Sequence, residues 1–187
     1  MCTAKCSRVI AFTLYPLVFI SIICNIVLFF PGGDIKYVKD GHITKEVMYM
    51  GGLAGGGVMV LISAVYIHST GKQGCCGNRL GMFFSIAIAG VGVTGALYSF
   101  GVAMLGLSHG PLCNDGGTWT TPYKDSDFSY LTDFKLWGEK CTEPMHVVQF
   151  NTVLFVTLMV TSCLQVLVCA IQMINGLVGC LCGTGNE

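Results

Sequence analysis

Leu80–Leu107 reads LGMFFSIAIAGVGVTGALYSFGVAMLGL, about 28 residues without one Asp, Glu, Lys, Arg or His. About 20 helical residues cross a hydrocarbon layer about 30 Å thick, so this run predicts a membrane span with length to spare. Three other stretches share the property: Val9–Phe30, Val47–Ile67 and Val147–Val178. All ten basic and ten acidic residues fall in the ends or the connections. Only 11% of the 187 residues are charged, against about 25% in an ordinary soluble chain. The fold class that follows is an all-α membrane protein, a four-transmembrane-helix bundle with a small disulfide-tied extracellular loop.

Charge sets the expected orientation. Lys5, Arg8, Lys72 and Arg79 flank the spans on one side and meet only Glu187 there, whereas the other side carries six basic and nine acidic residues. Short basic segments stay cytosolic. The expected layout is therefore a cytosolic N-terminus 1–8, span 9–30, small extracellular loop 31–46, span 47–67, cytosolic loop 68–79, span 80–107, large extracellular loop 108–146, span 147–178 and cytosolic C-terminus 179–187. The first span ends in Leu28-Phe29-Phe30-Pro31 rather than a small-x-small cleavage site, so it reads as an uncleaved anchor. Cys2 stands where N-myristoylation needs Gly, and Gly183–Glu187 is no prenylation signal. The expected residence is the plasma membrane, with cycling to endosomes and lysosomes left open.

The 11 cysteines sort by side. Cys113 and Cys141 are the two on the oxidising side and flank the large loop, so they should be bridged. Cys24, Cys163 and Cys169 lie within spans as small packing residues. Cys2, Cys6, Cys75, Cys76, Cys180 and Cys182 crowd the cytosolic boundary, where S-acylation fits best. Zinc fits poorly, because paired C-x-x-C spacing is missing, and no metal or cofactor is expected.

Within the spans, Gly51/Gly55 and Gly52/Gly56 are small-xxx-small pairs that let helix backbones approach closely, with a dimerisation face as the alternative. Ser85, Ala89, Gly92, Ala96 and Ser99 form one small-residue stripe in span three. Thr161, Gln165 and Gln172 share a face of span four, with Asn175 a turn beyond and the helix leaving the hydrocarbon past about Ile171. Asn25 and Asn151 lie at comparable depth and are expected in one interhelical polar layer. Leu61, Tyr66 and Lys72 match a proposed sterol-contact pattern, but an ordinary span end with an interfacial Tyr is the favoured explanation.

Proton-coupled transport and voltage sensing need ionisable groups at depth, and the spans have none. Nor do they hold the paired aspartates, Ser-His pair or metal motif of an intramembrane protease, so no enzyme and no catalytic residue is expected. Nothing points to nucleic acid. Asp125-Ser126-Asp127 lacks the spacing of a calcium loop, and His109 and His146 could approach one another at the outer boundary. Recognition is left to the 108–146 loop, where Trp119 and Trp137 are the candidate partner-binding residues among alternating aromatic and acidic side chains.

Several motifs in order then resemble the L-six antigen family of the transmembrane 4 superfamily, nearest its members four and five. They are Met1-Cys2 with Cys6 and Arg8, Asn25–Gly33, Cys75-Cys76-Gly77-Asn78, Gly110-Pro111-Leu112-Cys113, Leu136-Trp137, Cys141-Thr142-Glu143-Pro144 and Leu167–Gly183. The chain departs in a shorter inner loop, in Gln149-Phe150 before Asn151 where Pro-Trp is usual, and in having no N-x-Ser/Thr sequon. Its Cys-Cys-Gly lies on the cytosolic side, unlike that of true tetraspanins. The resemblance implies a surface scaffold that gathers integrins, growth-factor receptors and other membrane proteins in acylated microdomains, with effects on adhesion, migration, proliferation or differentiation. The competing reading is a small-molecule-binding sensor or an accessory subunit of a transporter or channel.

Overall fold

The structure is a computed structural model that describes residues 2–71, 79–115, 117–124, 128–131, 137, 141, 143–144 and 146–182. Apolar composition winds three long helices, α1 (Cys2–Leu28), α5 (Arg79–His109) and α6 (Val147–Cys182), and α1 runs on through Pro16. The second span is composite. Short helix α2 (Lys36–Lys39) and helix α3 (Lys45–Met48) lead to a π-helix over Gly51–Met59, which continues as α4 (Val60–Thr70). Four segments are long and apolar enough to cross a membrane: Ala4–Leu28, Lys45–Thr70, Leu80–His109 and Val147–Leu181. At 36 residues α6 is about 54 Å long, well beyond the hydrocarbon thickness.

The π-helix is where the simple helical reading falls short. Five of its nine residues are glycines and all five are buried. Without side chains to crowd the turn, this segment winds wider than an α-helix, a conformation that usually lasts a single turn. Met50, in the left-handed region at φ 50°, turns the chain from α3 into it. The small-xxx-small spacing still works as packing. A Cβ on Gly55 would collide with the Gly95 carbonyl of α5, and one on Gly95 would lie 2.7 Å from the Met59 Cβ. A Cβ on Gly52 would lie 2.8 Å from the Ser21 carbonyl of α1. Alternate glycine pairs thus face different neighbours.

One apolar cluster joins Leu14 and Val18 of α1, Val60, Ala64 and Ile67 of α4, Ala89 and Ala96 of α5, and Cys169 of α6. A second, nearer the outer segments, joins Cys24, Leu28, Ile43, Val47, Ala103, Leu107, Phe155 and Leu158. The stripe expected in span three, Ser85, Ala89, Gly92, Ala96 and Ser99, is buried throughout. Cys24 and Cys169 pack inside as expected, whereas Cys163 is exposed on the outer face of α6. A two-stranded hairpin, β1 (Cys113–Asp115) with β2 (Thr118–Thr120), interrupts the all-helical architecture. Its register pairs Cys113 with Thr120 and Asn114 with Trp119.

Candidate functional site: outer module and buried polar layers

Two constellations distinguish this bundle from a set of anchors. The first lies outside the spans. Gly117, at φ 110°, makes the hairpin turn and donates its N–H to Asn114 Oδ1 at 2.8 Å. Asn114 donates its backbone N–H to the Glu143 carbonyl at 3.0 Å, and the Cys113–Cys141 disulfide closes the same junction with Cα atoms 5.5 Å apart. Behind it, Tyr123 and Tyr130 are buried with Val147 and Val148, their rings 4.8 Å apart. The Tyr130 hydroxyl donates to the Leu107 carbonyl at the end of α5. Burial, and secondarily the neighbouring Tyr123, pushes the Tyr130 phenol up to about 12.

The two candidate tryptophans occupy different positions. Trp137 is half-buried against this cluster, and its Nε1 donates to the Tyr130 carbonyl at 2.6 Å. Trp119 instead reaches the small outer segment. Its ring stacks on His42 with centroids 3.9 Å apart and planes 8° off parallel, and Tyr37 meets it edge-on at 6.0 Å. A second strut joins the segments, for buried Glu46 of α3 accepts from His109 Nδ1 at 2.7 Å. Both outer connections therefore form one module. His109 faces Glu46, while His146 is exposed at a left-handed φ of 60°. Asp125, Ser126 and Asp127 lie outside the described residues.

The second constellation runs down the bundle. In the half next to this module, the Asn25 side-chain oxygen accepts the Leu53 N–H at 3.0 Å, covering one of the donors that the start of a π-helix leaves open. Gln165 Nε2 donates to the Gly56 carbonyl at 2.8 Å and lies 3.4 Å from Ser21 Oγ. Ser21 also bonds Thr161, and Ser162 donates to Ser99 at 2.9 Å. Toward the other end Gln172 meets Ser7 and Ser85, while Asn175 donates to Ser7 at 2.9 Å. These bonds join the N-terminal end of α1 to the C-terminal end of α6, and so bring half-buried Cys6 and Cys180 to one end of the molecule. Asn151 is buried and its Oδ1 receives no donor among the described residues. Cys75, Cys76 and Lys72 lie outside the described residues, and Tyr66 donates to the Gly81 carbonyl at 3.5 Å.

Spacing revealed the face of α6 that carries Thr161, Gln165 and Gln172. It gave no sign of the Trp119–His42 stack, the Glu46–His109 pair or the role of Ser7, because each partner is distant in sequence and ordinary by itself. Among the described residues no group of three His, Cys, Asp or Glu side chains could hold a metal ion.

The family description "L6 membrane protein" matches residues 1–186. The chain is 42% identical to transmembrane 4 L6 family member 4 of Homo sapiens, over 98% of its own length and 93% of that protein. It is 40% identical to transmembrane 4 L6 family member 5 of Bos taurus, covering 98% and 95%. With transmembrane 4 L6 family member 1 of Homo sapiens it shares 37% identity over 98% and 95%. No solved structure matches the chain.

Proposed function

Since this chain belongs to the L6 membrane protein family, we propose that it is a non-enzymatic multi-pass scaffold. In this role it organises integrins, growth-factor receptors or other membrane proteins in acylated microdomains at the plasma membrane. The observation that carries the reading is the fusion of both outer connections into one module through the Trp119–His42 stack, the Glu46–His109 pair and the Cys113–Cys141 bridge. A preorganised surface loses little freedom when a partner docks. In contrast, the described interior offers uncharged polar side chains that bond to one another and to the helix backbones.

Half-buried Trp119 is the contact residue in this proposal, while Trp137 shapes the surface from behind through its bond to Tyr130. Both termini face the cytosol. Cys2, Cys6, Cys75, Cys76, Cys180 and Cys182 carry the acyl chains, and the closeness of Ser7 to Asn175 supports a shared end for those of α1 and α6. Proximity labelling in cells tests the reading. Trp119→Ala should remove a defined set of lateral partners while leaving the protein at the surface. An unchanged partner set, with a Trp119-dependent response to a small ligand, would favour the sensor or accessory-subunit reading instead.

A further inference from the structure

We propose that the groove between α1 and α4, at the bundle end that carries the N-terminus, binds the headgroup of an anionic phospholipid. The reading of which leaflet supplies it rests on the orientation proposed above. Arg8, Phe12 and Tyr15 recur at intervals of four and three on α1 and so share one face of that helix. His68 and Gly71 stand three apart at the end of α4. The structure sets these two rows against each other. The Arg8 guanidinium donates to the Gly71 carbonyl at 3.3 Å, the Phe12 and His68 rings lie 5.4 Å apart, and the Tyr15 hydroxyl is 3.4 Å from His68 Nδ1. A side chain on Gly71 would press within 3.1 Å of the Arg8 backbone nitrogen, so the glycine permits the close approach that aims Arg8.

The chemistry of the groove changes along its length. Exposed Lys5 and Arg8 stand at its mouth, and among the described residues Arg8 makes one hydrogen bond. A guanidinium has five donors in a planar fork suited to phosphate oxygens. No acidic residue occurs in α1, α4, α5 or α6, so nothing in the four helices offsets this positive charge. About 6 to 10 Å beyond Arg8 along the axis the wall is aromatic, with Phe12 59% exposed toward the hydrocarbon. A free phosphate would use only the mouth. A phospholipid uses both parts, its phosphate on Arg8 and an acyl chain along Phe12. Basic pockets between helices on the cytosolic side are recognised sites for anionic headgroups.

The test uses the full chain in phosphatidylcholine nanodiscs doped with a photoreactive phosphatidylserine. Labelling should concentrate on the peptides of α1 and α4. Arg8→Gln should lower it about fivefold, as expected for loss of one basic group at an anionic surface. Arg8→Lys should retain it, and His68→Ala, a second variant should Arg8→Gln fail to fold, should also lower it. Lys39→Gln in the outer segment should change nothing. Label spread evenly over all four helices would overturn the proposal. So would labelling unchanged by either folded groove variant, or displaced by inorganic phosphate. Nanodiscs present the same lipid on both faces, so the result does not depend on orientation. A wrong orientation would show separately, as an N-terminal tag accessible on intact cells.

Discussion

The bundle and the outer module are held together by different physics. Within a membrane, apolar side chains gain little by leaving lipid for one another, so association rests on close packing and on interhelical hydrogen bonds. The bundle shows both, in the Gly55–Gly95 crossing and in the bonds of Gln165 and Gln172. The outer module lies beyond the spans, where the hydrophobic effect operates, yet it is too small to rely on core burial alone. It is tied by a disulfide, an aromatic stack and the hydrogen bond between Glu46 and His109. The two regions should therefore fail separately.

The largest expected effect tests that separation. Replacing Cys113 and Cys141 by Ser opens a loop with a sequence separation of 28, which in the chain-entropy model costs about 3–4 kcal/mol. Proteolysis within residues 108–146 should rise sharply while unfolding of the bundle in detergent stays put; a bundle that unfolds with the loop would break the comparison. Gly55→Val acts from the other side. Its side chain meets the Gly95 backbone, which has no flexible end to swing away, so a loss of about 2–3 kcal/mol is expected in detergent unfolding. The disulfide should still form.

Gln165→Leu should cost less, about 0.6–2 kcal/mol, because it removes interhelical hydrogen bonds and keeps the volume. Hydrogen exchange should then quicken across Gly51–Met59 and remain unchanged in the hairpin. The smallest effect over the usual pH range concerns Tyr130. Its phenol is raised by burial from the ordinary 10 to about 12, so the folded module holds a proton that the unfolded chain releases first. Stability of the module should be flat below about pH 10 and fall as pH rises from there through about 12. Tyrosinate absorbance follows the titration; a Tyr130 that ionises near 10 in the folded protein contradicts its burial.

Much of this architecture was legible before any coordinates. Charge-free runs located four spans, the period of α6 identified the buried face of Thr161, Gln165 and Gln172, and the placement of Cys113 and Cys141 foretold their bridge. The glycine cluster was legible as a close-packing site but not as a π-helix. Local pattern sets the identity of a face, whereas the winding of Gly51–Met59 answers to what lies opposite, with Asn25 and Gln165 of two other helices bonded to its backbone. The placement of the tryptophans was equally hidden. Both read as candidates in an aromatic loop, and their difference depends on His42 and Tyr130, which no spacing rule connects to them.

The sequence by itself determined that this chain spans a membrane four times, because hydrocarbon excludes charge and every charge lies in the ends and connections. It also determined which helical faces are small or polar, since those faces repeat at helical spacing. Only the tertiary structure decided which polar groups meet, how the glycine-rich turn is wound and that two outer segments make one surface. Those outcomes depend on pairings between distant residues, and a buried hydrogen bond or a backbone crossing exists only when both partners arrive at the same place.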